Sequence, residues 1–528
     1  MLLRVDALSA LGQRAFDVLV VGGGITGAGT ARDAAMRGLR VALVEKNDFA
    51  SGTSSRSSRL VHGGVRYLEH GQLHLVFESS RERRTLMRMA AHLVHPLAFT
   101  WPVYDGARIP RWKLAAGLTL YDALSLFRNV GRHRWLGVSG ILRHEPRVRT
   151  EGLRGGALYF DASTDDARLT LANVMAAVDA GAIAVNHAGV VELLREGGRV
   201  SGARIRDGET GALTDVRARV VVNATGPWSD QLETMARSGA ASGVRGSKGV
   251  HVCVPRMRVG NGSALTLIAP QDGRVMFVLP SGDFTIIGTT DTFDAVSPDD
   301  VRANETDVAY LLAAANHYFP SAMLTRDDVV SAWAGLRPLA IGSGATRDDP
   351  GSTSREHAIA ETAPGLVRVT GGKLTTYRAM SSEITDRIQQ ALGVPHTRSR
   401  TDTVPLPGAM IGNDLASAEG TPRLLARYGT IWREVAALVE RDPALGARVT
   451  PERPYLLAEL RYAVEGEMAR TMGDLLIRRT PIAFETRDHG RDAARRVAPM
   501  VAEWLQRDAA SVIAEYDAEA ARMFRIDP

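Results

Sequence analysis

The apolar positions open with a short run at residues 16–21. A glycine-rich turn at 22–27 follows, then small residues with helical composition at 28–37 closed by Gly38, then a second apolar run at 41–44. Short continuous apolar runs mark strands buried on both faces, so this stretch predicts a parallel βαβ unit. Residues 166–185 predict a helix feeding a strand, and 219–230 a strand ending in a Gly-Pro turn. From 243 to 290, β-branched apolar segments alternate with turns, the pattern of a mostly antiparallel sheet. Residues 365–388 repeat the strand, Gly-Gly, helix order. Composition shifts to Pro and Gly around 401–408, a linker signal, and the rest of the chain has helical spacing without strand-like runs. Residues 108–135 read as one helical stretch with basic ends.

Composition narrows the classes. In 528 residues, 45% hydrophobic and 23% charged content supports large buried cores and excludes wholesale disorder. One cysteine, Cys253, excludes a disulfide framework and any multi-cysteine metal site. It lies in an apolar run and is expected to be buried and inert. No metal site is expected. No run of about 18 apolar residues occurs, and the first residues do not have the form of a cleaved leader, so a soluble or surface-bound protein is expected. A net charge of +5 suits anionic lipid or an anionic substrate. No nucleic-acid motif accompanies it, so no nucleic-acid partner is expected.

The chemistry starts at Gly22, Gly24 and Gly27, with Ile25 and Thr26 between them. These glycines fit GxGxxG, opening a helix whose N-terminus meets a pyrophosphate. Glu45 ends the next strand, about 20 residues on, where a carboxylate accepts from a ribose. Glu rather than Arg there argues against a 2′-phosphorylated nucleotide. Ala224, Thr225 and Gly226 form a small-residue turn after a strand. The Gly-Gly turn that ends in Gly372, followed by Lys373, Leu374 and Thr375, can aim helix amides at a flavin pyrimidine edge. The three turns in this order favour FAD over NAD.

At this point the segments "VVGGGITGAGTARDAAMRGL", "VEKNDFASGTSSRSSRLVHGGVRYLEHG", "VVNATGPW", "KGVHVCVP", "IIGTTD", "GLRPL" and "GGKLTTYR" together resemble the FAD-dependent, quinone-linked, aerobic glycerol-3-phosphate dehydrogenase family over most of residues 16–385. The helical C-terminus is similar as well. The resemblance implies an α/β plus all-α fold. Its parts are a Rossmann-like FAD-binding domain of the D-amino-acid oxidase type, an interleaved antiparallel-sheet substrate domain and a helical C-terminal domain. The expected boundaries are FAD-binding parts at 1–105, 165–240 and 365–395, and a substrate- or membrane-facing region at 106–164. The substrate domain takes 241–364, the linker 396–408 and the helical domain 409–528.

The resemblance further implies oxidation of sn-glycerol 3-phosphate to dihydroxyacetone phosphate, with electrons passing to a membrane quinone. Planar guanidinium groups bind a phosphomonoester dianion bidentately. Arg66, Arg337 and Arg355 are the cations assigned to substrate, with Lys373 beside them and Tyr67 packing nearby. A base must take the hydroxyl proton, and His62 and His251 are the candidates, His62 preferred. Lys46, Ser51, Thr53, Ser54, Ser55, Ser58, His62, Gly63 and Gly64 are expected to line the FAD cradle. His62 and Arg66 would share a face if their segment is helical.

Residues 108–135 carry Trp112 and Trp135 near the ends, with Arg108, Arg111, Lys113, Arg128, Arg132 and Arg134 flanking an apolar centre. They fit either an interfacial helix on anionic lipid or a core helix with basic flanks. The resemblance implies a cytoplasmic location, peripherally bound at the inner face of the plasma membrane, and leaves a homodimer open. The alternative activity is a glycerol-3-phosphate oxidase that uses oxygen and releases hydrogen peroxide. An amino- or hydroxy-acid oxidase and a non-catalytic flavin-fold binding protein are the other readings.

Overall fold

The computed structural model describes residues 3–65, 71–126, 129–237, 244–293, 297–340, 357–409 and 422–528. Two sheets dominate. The first takes β1 (Ala15–Val21), β2 (Val41–Val44), β7 (Ile183–Val185), β8 (Ala188–Glu196), β9 (Arg199–Asp207), β10 (Leu213–Asn223), β17 (Ala358–Ala363) and β18 (Leu366–Thr370). Its order is β17-β18-β10-β1-β2-β7, with the β8–β9 hairpin paired to β10. β1, β2, β7, β10 and β18 are mutually parallel neighbours. Their apolar runs are buried on both faces, as parallel strands covered by helices require.

On one face lie the helices Ile25–Met36, Asp166–Asp179 and Tyr377–Leu392. Their contact is close because the first presents Ala28, Ala31, Ala34 and Ala35. A Cβ on Gly29 would press to 2.5 Å from Ser381 Oγ, so only glycine lets these helices cross at that spacing. The helix Ile25–Met36 begins three residues before the expected start at Ala28. Ser54, from the loop after β2, accepts the Ile25 N–H at 2.9 Å and extends the helix N-terminus to the glycine turn.

The second sheet takes β3 (Leu60–Val61), β4 (Val94–Tyr104), β5 (Arg134–Leu136), β6 (Leu153–Thr164), β11 (Val244–Pro255), β12 (Ala264–Ile268), β13 (Val275–Ser281), β14 (Phe284–Gly288), β15 (Thr292–Phe293) and β16 (Ser331–Ala340). Its main path runs β15-β11-β14-β13-β12-β4-β6-β3, antiparallel except at β12–β4. β3 and β4 come from within the first expected FAD-binding part, and β17 from within the expected substrate region. The chain therefore passes between the sheets more often than the sequence boundaries suggest.

The single helical stretch expected over 108–135 is corrected. The helix spans Arg111–Leu124, Leu126 takes a left-handed backbone, and Trp135 lies in β5 opposite Ala157. Pairing to β6 overrides the helical composition there.

The C-terminal part is helical, including Leu457–Gly466, a π-helix at Asp474–Arg479, Arg491–Leu505 and Ala509–Phe524. It is tied to the first sheet by buried charge. Asp48, just past β2, accepts from Arg478 Nε at 2.7 Å, from Arg479 Nη1 and Nη2 at 2.5 and 3.0 Å, and from Asn186 Nδ2 at 2.9 Å. Beside it His187 meets Asp474 at 2.9 Å. Burial works to lower the His187 pKa, but Asp474 outweighs it and raises it.

Arg479→Ala leaves buried Asp48 with one guanidinium partner in place of two, so it is expected to cost up to about 3–5 kcal/mol, read as a lower urea midpoint. A raised folded-state pKa makes the His187 contribution full below about pH 6.5 and lost as pH climbs through the folded value. The stability gap between wild type and His187→Gln should therefore be widest in acid and close in alkali. A constant gap across that range would contradict the assignment.

Candidate active site

The carboxyl ends of β1, β2, β10 and β18 open onto one cavity of about 370 Å³, within the usual range for ligand pockets. Gly22 leaves β1 at φ +107°, and any Cβ there would sit 2.6 Å from the Ala224 carbonyl oxygen. A Cβ on Gly27 would overlap the Gly22 oxygen. The turn is thus built for glycine, and it leaves Gly22, Gly24, Ile25 and Thr26 on the cavity wall. Glu45 holds it in place: Oε2 accepts the Gly23 N–H at 2.7 Å and Oε1 the Asn47 N–H at 2.9 Å. Burial raises the Glu45 pKa, against the lowering effect of those two donors.

The loop after β2 forms the next wall, with Ser51, Thr53, Ser54 and Ser58 on the cavity. Thr53 donates to the Leu336 carbonyl at 2.6 Å and so fastens this loop to the second sheet. Ala224, Thr225 and Gly226 close the β10 end, and Gly372, Lys373, Leu374 and Thr375 the β18 end. A cavity between a glycine turn, a strand-end carboxylate and the N-termini of two long helices has the donors and the bare backbone that a dinucleotide needs. The residues fit FAD.

His62 and Gly64 border the same cavity. They follow β3 in irregular backbone rather than helix. The His62 N–H donates to Thr375 Oγ1 at 3.1 Å, and Thr375 Oγ1 donates back to the His62 carbonyl at 3.1 Å. This clamps the His62 backbone to the start of the Tyr377–Leu392 helix. His251, on β11, is buried. Its Nε2 lies 2.8 Å from Ser58 Oγ, and its ring stacks on Trp333 at 5.4 Å. Burial, helped by Arg337 and Arg59, pushes its pKa down to about 3, so the ring is neutral.

Arg337, on β16, turns its guanidinium to the cavity edge. Nη1 donates to Asp291 Oδ1 at 3.0 Å and Nη2 to Thr289 Oγ1 at 2.9 Å. Lys373 borders the cavity from the other sheet. His62, His251, Arg337 and Lys373 are therefore brought together.

Three expected cradle residues do not border the cavity. Gly27 packs inside the turn. Ser55 is buried behind the loop. Gly63 faces Tyr121, whose hydroxyl leaves no room for a Cβ, and its N–H donates to Asp161 Oδ1 at 2.9 Å. Lys46 borders the cavity, but its ammonium is engaged by Asp299 at 2.8 Å and lies 4.4 Å from the Trp228 ring centroid. Arg66, Tyr67 and Arg355 lie outside the described residues.

Sequence reasoning missed the aromatic wall of Phe99, Trp101, Tyr159 and Phe277, and Asp161 beside it. Asp161 accepts from Tyr121 OH at 2.6 Å and is also paired with buried Arg83. The signal was present: Phe99 and Trp101, like Tyr159 and Asp161, are two apart and share a strand face. Among the described residues, Asp48, His187 and Asp474 form a cluster of metal-ligand type. Its carboxylates are already engaged by Arg478, Arg479 and the histidine, so a cation would have to displace the guanidinium groups.

Residues 17–378 match the family model described as FAD dependent oxidoreductase. Residues 399–512 match the C-terminal domain of alpha-glycerophosphate oxidase. The chain is 41% identical to glycerol-3-phosphate dehydrogenase 2 of Mycobacterium tuberculosis, over 98% of this chain and 90% of that one. It is 35% identical to the aerobic glycerol-3-phosphate dehydrogenase of Bacillus subtilis, over 90% and 89%. The crystal structure of glycerol-3-phosphate dehydrogenase from Bacillus halodurans complexed with FAD superposes with a TM-score of 0.82 at 32% identity, covering 98% and 97% of the two chains.

Proposed function

This chain belongs to the FAD-dependent glycerol-3-phosphate dehydrogenase family, and from that premise we propose that it oxidises sn-glycerol 3-phosphate to dihydroxyacetone phosphate and passes the electrons to a membrane quinone. The observation that carries the reading is the shared cavity: His62, His251, Arg337 and Lys373 face the same space as the glycine turn and Glu45. FAD, when bound, supplies the hydride acceptor at N5. Gly22, Gly24, Ile25 and Thr26 would hold its pyrophosphate, Glu45 its ribose, and Ser51, Thr53, Ser54 and Ser58 its middle. The amides of Gly372 to Thr375 would meet the flavin ring.

The remaining work falls to side chains. Arg337 and Lys373 neutralise the phosphate and fix the alcohol's orientation, with Arg66 and Arg355 assigned to the same task. As the hydride leaves the secondary carbon, the hydroxyl proton moves to a histidine and the ketone forms. His62 is the better acceptor. His251 is held neutral with a pKa of about 3, so its protonated form is strongly disfavoured, and Ser58 occupies its Nε2. The aromatic wall of Phe99, Trp101, Tyr159 and Phe277 gives the cavity an apolar side.

On the outer surface, the helix Arg111–Leu124 exposes Trp112 (73%) and Leu120, and the helix Leu73–Met89, which it contacts, exposes Leu73 and Phe77. Arg108, Lys113 and Arg132 lie nearby in sequence. Apolar tips among cations support peripheral docking on an anionic bilayer. No described helix is long and apolar enough to cross a membrane.

His62→Asn is expected to slow anaerobic flavin reduction by about 10²–10⁴-fold while His251→Asn slows it far less. The reverse order would give His251 the base role. Peroxide formed per glycerol 3-phosphate consumed should fall sharply when a soluble quinone is added. Stoichiometric peroxide regardless of quinone would make the protein an oxidase. Trp112→Ala with Lys113→Glu should reduce co-sedimentation with phosphatidylglycerol liposomes at unchanged flavin content. Undiminished sedimentation would place the membrane contact elsewhere.

A further inference from the structure

Arg337 is held by the turn between β14 and β15, a contact that the sequence pattern does not announce. In the β11–β16 ladder Ser247 pairs with Arg337 and Gly249 with Gly335. The turn Thr289–Thr290–Asp291 folds over that ladder. Buried Asp291 accepts from Arg337 Nη1 at 3.0 Å and from the Ser247 hydroxyl in a short contact. Thr289 Oγ1 takes Nη2 at 2.9 Å, and the Thr290 carbonyl lies 3.3 and 3.4 Å from the two terminal nitrogens. The guanidinium lies against Gly249, where a Cβ would overlap it. The charged fork is therefore fixed by acceptors along one side and by a bare backbone beneath.

We infer that Asp291 is the positioning residue for Arg337, holding its fork in the one orientation that receives a phosphomonoester dianion at the cavity. This rests on the proposed function. A charge-assisted fork binds phosphate through geometry as well as charge, so a guanidinium free to rotate loses affinity even though its charge remains. Asp291 also offsets part of that charge. Removing it therefore has two effects of opposite sign: loss of aim weakens phosphate binding, and gain of positive potential strengthens it.

The test is Asp291→Asn in the FAD-loaded full-length enzyme. KM for glycerol 3-phosphate and the inhibition constant of inorganic phosphate should both rise by about tenfold. The rate of flavin reduction at saturating substrate should stay within about twofold, with flavin content unchanged. Unchanged or lower values of both constants overturn the inference. Thr289→Val removes one acceptor, keeps the charge and should raise both constants less. If Asp291→Asn does not fold, that variant decides alone: no rise in either constant overturns the inference. Arg337→Gln separates the two levels. If it leaves both constants unchanged, the phosphate role of Arg337 falls, and positioning with it. If it raises both while Asp291→Asn raises neither, positioning alone falls.

Discussion

One buried carboxylate, Asp48, holds the molecule together. It sits between Glu45, which braces the glycine turn, and the Ser51–Ser58 loop, which lines the cavity. Four donors converge on it, three of them from Arg478 and Arg479 of the helical C-terminal part. The cofactor loop therefore rests on the C-terminal helices at a point 431 residues away in sequence. A buried ion pair is weak evidence for net stability, because desolvation offsets much of its attraction. What it supplies here is a fixed tie between the cofactor loop and the C-terminal part. A second contact runs parallel to it. Phe484 packs edge-on at 5.1 Å against Trp333, which in turn stacks on His251. The helical part thus backs both the cofactor loop and the histidine wall.

Much of this was legible in the sequence because it depends on local chemistry. The glycine turn, the acid at the end of β2, the Gly-Gly turn before Lys373 and the antiparallel run after residue 243 each follow from residue type and spacing. What was not legible depends on partners far away. The helix at the glycine turn starts at Ile25 because Ser54, 29 residues on, accepts its N–H. Trp135 leaves the helical pattern because β6 pairs with it. Lys46 is drawn to Asp299, 253 residues away. The aromatic wall needed strand assignments for 94–104 and 153–164 that periodicity alone did not supply.

The electrostatics of the site divide the labour between similar groups. Two histidines face one cavity, but burial and two nearby arginines hold His251 neutral, with its Nε2 against Ser58. His62 is clamped through its backbone by Thr375 and borders the cavity. Arg337 from β16 and Lys373 after β18 face the same cavity from opposite sheets. A dianion between them would bridge the sheets.

The proposed reaction of this cavity is the oxidation of glycerol 3-phosphate with bound flavin. An anaerobic titration of the purified holoenzyme with sn-glycerol 3-phosphate, followed by the visible flavin absorbance, tests it most directly. The oxidised flavin band should disappear on addition of substrate and return when a soluble quinone is admitted. A band that stays unchanged under excess glycerol 3-phosphate, with flavin fully bound, would contradict it.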